Sequence, residues 1–227
     1  MKNYRLKLLT LICISSSLFA GGAGDILRSS LLVNNLEYQF DNTKVVNWDI
    51  SSYVGYDQNK LYIYSQGEKA EGMNANSENQ LVYSRAVAPF WDVQAGIDYD
   101  KSETNSTTWG ILALSGLAPY FFDSRIAFLV NDSGNIGLRI DVEYEALITQ
   151  KLILTPSFAL DAYSQDEKVI NLGSGLSNIT LGARLRYEIR REFAPYVGVE
   201  WSKNFANTAK LSPLNTSYIV TGVRFWF

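Results

Sequence analysis

Residues Ile179–Ile189 read ITLGARLRYEI, and they sort by parity into two sets of different chemistry. Ile179, Leu181, Ala183, Leu185, Tyr187 and Ile189 share one face of an extended chain, while Thr180, Gly182, Arg184, Arg186 and Glu188 share the other. A period of two is that of a strand, in which successive side chains point to opposite faces. A soluble sandwich alternates as well, but its water-facing side is seldom both this charged and this rich in glycine. Segments of about ten residues with an apolar and a polar face are the signature of a strand crossing a membrane in a barrel.

The same pattern recurs on either side. In Asn135–Thr149, Ile136, Leu138, Ile140, Val142, Tyr144, Ala146 and Ile148 oppose Gly137, Arg139, Asp141, Glu143, Glu145 and Thr149. In Trp91–Asp100, Trp91, Val93, Ala95, Ile97 and Tyr99 oppose Asp92, Gln94, Gly96, Asp98 and Asp100. The chain closes on Tyr218–Phe227, where Ile219, Thr221, Val223, Phe225 and Phe227 share a face. An apolar last strand ending on an aromatic is similar to the recognition signal of bacterial outer-membrane barrels.

Strand candidates fall at 36–41, 45–56, 60–66, 77–87, 91–100, 108–117, 123–131, 136–149, 152–164, 177–189, 195–204 and 216–227. About twelve strands, an even number, suits a single-chain barrel with short turns at one end and longer loops at the other. Short connections are predicted at Asp57–Asn59, Pro89, Pro119, Gln150 and Arg190–Phe193, and long ones at Gly67–Ser77, Lys101–Thr107, Gln165–Ser177 and Asn204–Asn215. The facing of the third, fourth and sixth strands is ambiguous, and Arg85 reads as a rim residue. Ala88-Pro89-Phe90, Ala118-Pro119-Tyr120 and Ala194-Pro195-Tyr196 repeat one motif, which suits turns with aromatics at a membrane interface.

Residues 1–23 have a basic start (Lys2, Arg5, Lys7), a short apolar stretch Leu8–Ala20 and small residues after it. This is the pattern of a cleaved signal peptide, too short for a spanning helix. Cleavage near Ala20 or Ala23 removes Cys13, the only cysteine, and makes the chain three units more negative than its overall −3. Residues 24–35 then read as a short periplasmic linker and 36–227 as an all-β, transmembrane antiparallel β-barrel in the bacterial outer membrane, in contact with its lipid.

Composition narrows the chemistry. The chain has no His, which removes Ser-His and Cys-His nucleophile pairs, HExxH zinc sites and an imidazole base. An acidic balance argues against a nucleic-acid partner. The remaining candidates are carboxylates on the polar faces. Parity places Asp92, Asp98, Asp100, Asp141, Glu143, Glu145, Glu188 and Glu200 in the lumen with Arg139, Arg184, Arg186 and Arg224. Arg–carboxylate bridges that fill the lumen are one expectation. The other is that the surplus acids hold or guide a hydrated divalent cation.

Several blocks resemble the copper-resistance protein B family: Tyr83–Gly96 (YSRAVAPFWDVQAG), Gly116–Tyr120 (GLAPY), Leu147–Leu154 (LITQKLIL), Leu172–Leu176 (LGSGL), Leu185–Trp201 (LRYEIRREFAPYVGVEW) and Gly222–Phe227 (GVRFWF). The resemblance covers roughly residues 36–227, a multi-block match. It implies an outer-membrane barrel involved in copper resistance and homeostasis, with copper ion as the implied metal. Family members commonly carry an N-terminal extension rich in Met and His. Here the segment after residue 23 has one Met, Met73, and no His. Copper would therefore have to meet oxygen ligands, which accept Cu(II) but do not select it. Three functions remain: a barrel that binds or moves the cation, a structural or docking barrel serving a periplasmic copper-handling protein, and an outer-membrane enzyme. The missing His disfavours the last.

Overall fold

The structure is a computed structural model that describes residues 26–40, 44–102, 105–167 and 170–227. The expected signal segment, 1–23, lies outside them. Among the described residues no helix is long and apolar enough to cross a membrane. Thirteen strand segments form one sheet: β1 (Arg28–Phe40), β2 (Val45–Gly55), β3 (Asn59–Ala70), β4 (Asn76–Ala88), β5 (Trp91–Lys101), β6 (Ser106–Ala118), β7 (Phe122–Asn131), β8 (Ile136–Tyr144), β9 (Ala146–Leu147), β10 (Leu152–Tyr163), β11 (Gly175–Tyr187), β12 (Phe193–Asn204) and β13 (Asn215–Trp226). β8 and β9 are consecutive pieces of one stave, both paired with β10 and separated by Glu145. Every neighbour is antiparallel, and β1 pairs with β13 from Leu32↔Trp226 to Phe40↔Ile219. The sheet closes into a 12-stave barrel without a free edge.

The start of β1, the C-terminus and the tight turns at Tyr56–Gln58, Pro89–Phe90, Pro119–Phe121 and 188–192 share one rim, the turn end. The opposite rim, the loop end, carries the connections 71–75, 132–135, 164–174 and 205–214, the last containing α1 (Thr208–Leu211). Phe90 and Tyr120 have φ of 68° and 67° and are highly exposed, so two of the Ala-Pro-aromatic motifs are turns bearing surface aromatics. The third is different. Pro195 lies within β12 opposite Val223, and Tyr196 is 5% exposed with its hydroxyl donating to Glu37 (3.0 Å) and Asn35 (3.2 Å). The intervening segment 188–192 already makes the turn, so Tyr196 falls on an inward position.

The wall is inside-out relative to a soluble protein. Leu181, Leu185, Tyr187 and Ile189 are exposed, whereas Arg186 is only 6% exposed. Ile97, Leu112, Phe128, Val197, Val199 and Ile219 are exposed in the same way, while Gln80, Gln94, Asp98 and Arg139 are buried. This is the polarity of a lipid-facing barrel.

Two boundaries differ from the sequence reading. β1 begins at Arg28, so most of the expected 24–35 linker is strand. A register shift between Val33 and Leu36 breaks the alternation that would have revealed it, because one extra residue reverses which face each side chain takes. The 136–149 strand is interrupted at Glu145 and ends at Leu147.

The three ambiguous strands also resolve. Tyr62 and Tyr64 on β3, Val82 on β4 and Trp109, Ile111 and Ala113 on β6 belong to an interior apolar cluster with Ala127, Leu129 and Tyr163. Leu112 and Leu114 face outward, so β6 is apolar on both sides and has no readable parity. Ile170 and Leu172 of the 164–174 loop pack on this cluster at the loop end. Arg85 is exposed, opposite Asn59 beside the turn end.

Candidate functional site

Charged side chains fill the remaining lumen in three groups. Toward the loop end, Arg139 leaves β8 and crosses to the opposite wall. Its Nη1 donates to Asp98 Oδ2 (2.6 Å) and pairs with Glu78, and its Nη2 donates to Asp100 Oδ2 (2.8 Å). Its Nε donates to the Tyr163 hydroxyl (3.1 Å), with Asp161 at 3.9 Å. The β4–β5 register sets Glu78 opposite Asp100, a like-charge pair that the sheet alone would disfavour. Glu78, Asp98 and Asp100 each bring an oxygen within 4.8 Å of the others, a spacing that could hold a metal ion. The guanidinium already bonds all three, so the cation in this group is tethered to the chain.

The second group is held by Arg184 on β11. Its Nε and Nη2 grip Glu37 in a two-pronged contact (3.0 and 2.8 Å). Nη2 also donates to Glu200 (2.7 Å). Glu37 stands on β1, across β12 and β13 from Arg184, so this too is a strut across the lumen.

The third group lies at the turn end. Glu145 Oε1 takes Arg186 Nη2 at 2.7 Å and Arg224 Nη1 at 2.8 Å, and Glu188 is 4.0 Å from Arg186. On the remaining wall, Arg125 donates to Gln94 (3.1 Å) and Gln80 (2.6 Å) and lies 4.8 Å from the centre of the Tyr64 ring.

What the arginines leave unpaired is the candidate site. Asp141 faces the lumen from β8, next to Arg139, yet is exposed, so the interior opens onto solvent there. Glu143 follows it on the same face. Among the described residues, neither has an ion-pair partner within 4.0 Å or a hydrogen bond. Asp49 on β2, hydrogen-bonded by Asn34, lies within electrostatic reach of both and of Arg184. Three carboxylates from two walls thus border one wet space.

The acids singled out in the sequence therefore divide. Asp98 and Asp100 belong to the Arg139 group, Glu200 to the Arg184 group, and Glu145 and Glu188 to the turn-end group. Asp92 accepts from Ser84 Oγ (3.0 Å). Asp141 and Glu143 alone border the open space.

The model of the family described as Copper resistance protein B precursor matches residues 27–227. The chain belongs to the copper resistance protein B family. Copper resistance protein B of Escherichia coli is 38% identical over 203 residues, 87% of this chain and 69% of that protein. The Copper resistance protein B homolog of Pseudomonas syringae pv. tomato is 34% identical over 207 residues, 88% of this chain and 70% of its own length. Among solved structures, the KdgM porin aligns with a TM-score of 0.56 at 14% identity, covering 87% of this chain and 99% of that one. Outer membrane phospholipase A from Escherichia coli aligns at 0.50 and 14% identity, covering 87% and 92%. At such identities these structures share the fold alone.

The copper resistance protein B blocks map onto structural needs. In Leu172–Leu176, Gly173 sits against the backbone of Asn207 and Thr208, where a Cβ would collide, and Gly175 has φ of 93°. Thr208 Oγ1 accepts from Gly173 N (2.8 Å) and is 2.8 Å from Ser177 Oγ, tying two loops together. The Leu185–Trp201 block carries Arg186, Glu188 and Glu200 into two of the charged groups.

Lumen residues outside the sequence list are Glu37, Asp49, Glu78, Asp123, Asp161 and Arg125. Asp49 and Asp161 were legible, because each sits in phase with polar neighbours on its strand (Asn47 and Ser51; Ser157). Glu78 was not, since Ser77 and Asn79 make both faces of β4 polar at that point.

Proposed function

We propose that this barrel sits in the bacterial outer membrane with its turn end in the periplasm, and that it binds or passes hydrated Cu(II) through its acidic lumen without doing covalent chemistry. The observation that carries this reading is the wet space bordered by Asp49, Asp141 and Glu143, none of which has an ion-pair partner within 4.0 Å among the described residues. Carboxylates of one sign in a low-dielectric enclosure concentrate cations. Oxygen ligands accept Cu(II) while leaving it partly hydrated and able to leave. Family membership supplies copper as the cargo to test.

The test is isothermal titration of Cu(II) into the refolded barrel, paired with copper flux into liposomes. Asp141→Asn combined with Glu143→Gln should weaken binding by roughly tenfold or more, because each lost charge within about 10 Å of a divalent ion removes over 1 kcal/mol at moderate dielectric. Flux should fall in parallel while the fold is kept. Wild-type protein that neither binds nor passes copper would sink the proposal.

A second reading is a structural or docking barrel that serves a periplasmic copper-handling protein. The arginine struts favour it, because they occupy much of the lumen's acidity. Capture of a Met- and His-rich periplasmic partner by a barrel silent in both copper assays would decide for it.

A further inference from the structure

The turn-end rim has the opposite character to the acidic lumen. A cavity of about 270 Å³ opens there, lined by Glu145, Arg186, Glu188, Arg191, Arg224 and Trp226 along with Ala194. Three guanidiniums face two carboxylates. Arg186 is more than nine-tenths buried, and its Nε–H has no hydrogen-bond partner among the described residues. Arg191 forms no ion pair among the described residues, while its backbone is anchored by Trp226 Nε1 donating to its carbonyl (2.9 Å). Glu145, bridging Arg186 and Arg224 through a single oxygen, shows that these side chains converge on an oxyanion.

We infer that this cavity is a binding site for a phosphate-type oxyanion, seated against the Arg191 and Arg224 guanidiniums that line it, with the buried Arg186 charge behind them. Guanidinium suits this ligand because it offers several donors in a planar fork to oxygens carrying delocalised charge. The ligand could be free phosphate or the phosphate of a lipid headgroup, since the chemistry is shared. The site is separate from the Asp49–Asp141–Glu143 space and does not depend on copper.

The test is calorimetric titration of inorganic phosphate into the refolded barrel in a phosphate-free maltoside detergent, with short-chain phosphatidylglycerol as a second titrant. Saturable phosphate binding is expected. Arg191→Gln, at an exposed turn position, should weaken it roughly tenfold, as should Arg224→Lys, which keeps the charge but removes the planar fork. Lys210→Gln, on α1 at the far rim, should leave it unchanged. Tighter binding of the lipid, in competition with phosphate, would identify the headgroup as the source. Phosphate binding without lipid competition would identify the free ion. Absence of binding by both titrants, or binding insensitive to both arginine variants, would overturn the inference.

Discussion

Replacing Arg139 by Met should destabilise the barrel by about 3–5 kcal/mol, the cost of leaving a buried charge group without its partner. Among the described residues the guanidinium is the one base that bonds Glu78, Asp98 and Asp100, and Asp161 lies just beyond. Met preserves much of the aliphatic stem, so the loss reports charge rather than packing. Urea unfolding of the refolded protein in vesicles is the measurement. Arg125→Met provides the contrast, because Arg125 hydrogen-bonds the neutral amides of Gln94 and Gln80 and faces a single carboxylate, Asp141, across the β7–β8 pair without an ion pair within 4.0 Å. Its cost should be clearly smaller. Adding Asp98→Asn and Asp100→Asn to the Arg139 variant should recover much of the stability, a coupling that a mutant cycle isolates. Equal losses for the two arginine variants, with no recovery, would mean that Arg139 is not a charge-balancing strut.

That strut also marks the limit of what the sequence discloses. Alternation in Ile179–Ile189 assigns Arg184 and Arg186 to the inner face because parity is a local property of an extended chain. It cannot say that Arg184 will meet Glu37, since that contact spans the lumen and exists only once β1 has paired with β13. The same holds for Arg139 and the β4–β5 wall. Sequence parity therefore finds the charged face but not its pairings, and so it could not separate Asp98, which is bonded, from Asp141, which is not.

Local failures have local causes. The register shift near Asn34 hid the first half of β1 by inverting its faces. β6 hid its facing because Trp109 and Ile111 fill the interior while Leu112 and Leu114 meet the outside. The Ala-Pro-aromatic motif misled at its third occurrence for a related reason. The motif fixes a local proline geometry, whereas exposure of the aromatic depends on where the turn falls, and at 188–192 the chain turns before the proline arrives. In each case the missing information is a register, which the assembled sheet supplies.

Leu181→Arg tests the premise on which both the site and its neighbours rest, and it should cost about 2–4 kcal/mol for a charge placed at the lipid midplane. Leu181 is the central residue of β11, 45% exposed on the outer wall, with its inward neighbours Thr180 and Gly182 on either side. An arginine there must either desolvate or pull the bilayer inward to reach water. Val142→Arg, also outward and paired like Leu181 with Phe158 in the middle of β10, should cost a similar amount. Glu143→Gln, on the inner face and bordering the wet space, should scarcely affect folding, since it removes a charge that has no partner to strand. The separation of both arginine variants from Glu143→Gln follows from facing alone and is read from unfolding in vesicles of defined thickness. If Glu143→Gln proved as damaging as Leu181→Arg, the carboxylate would be sustaining the fold rather than waiting for a cation, and the wet acidic space would lose its claim to bind one.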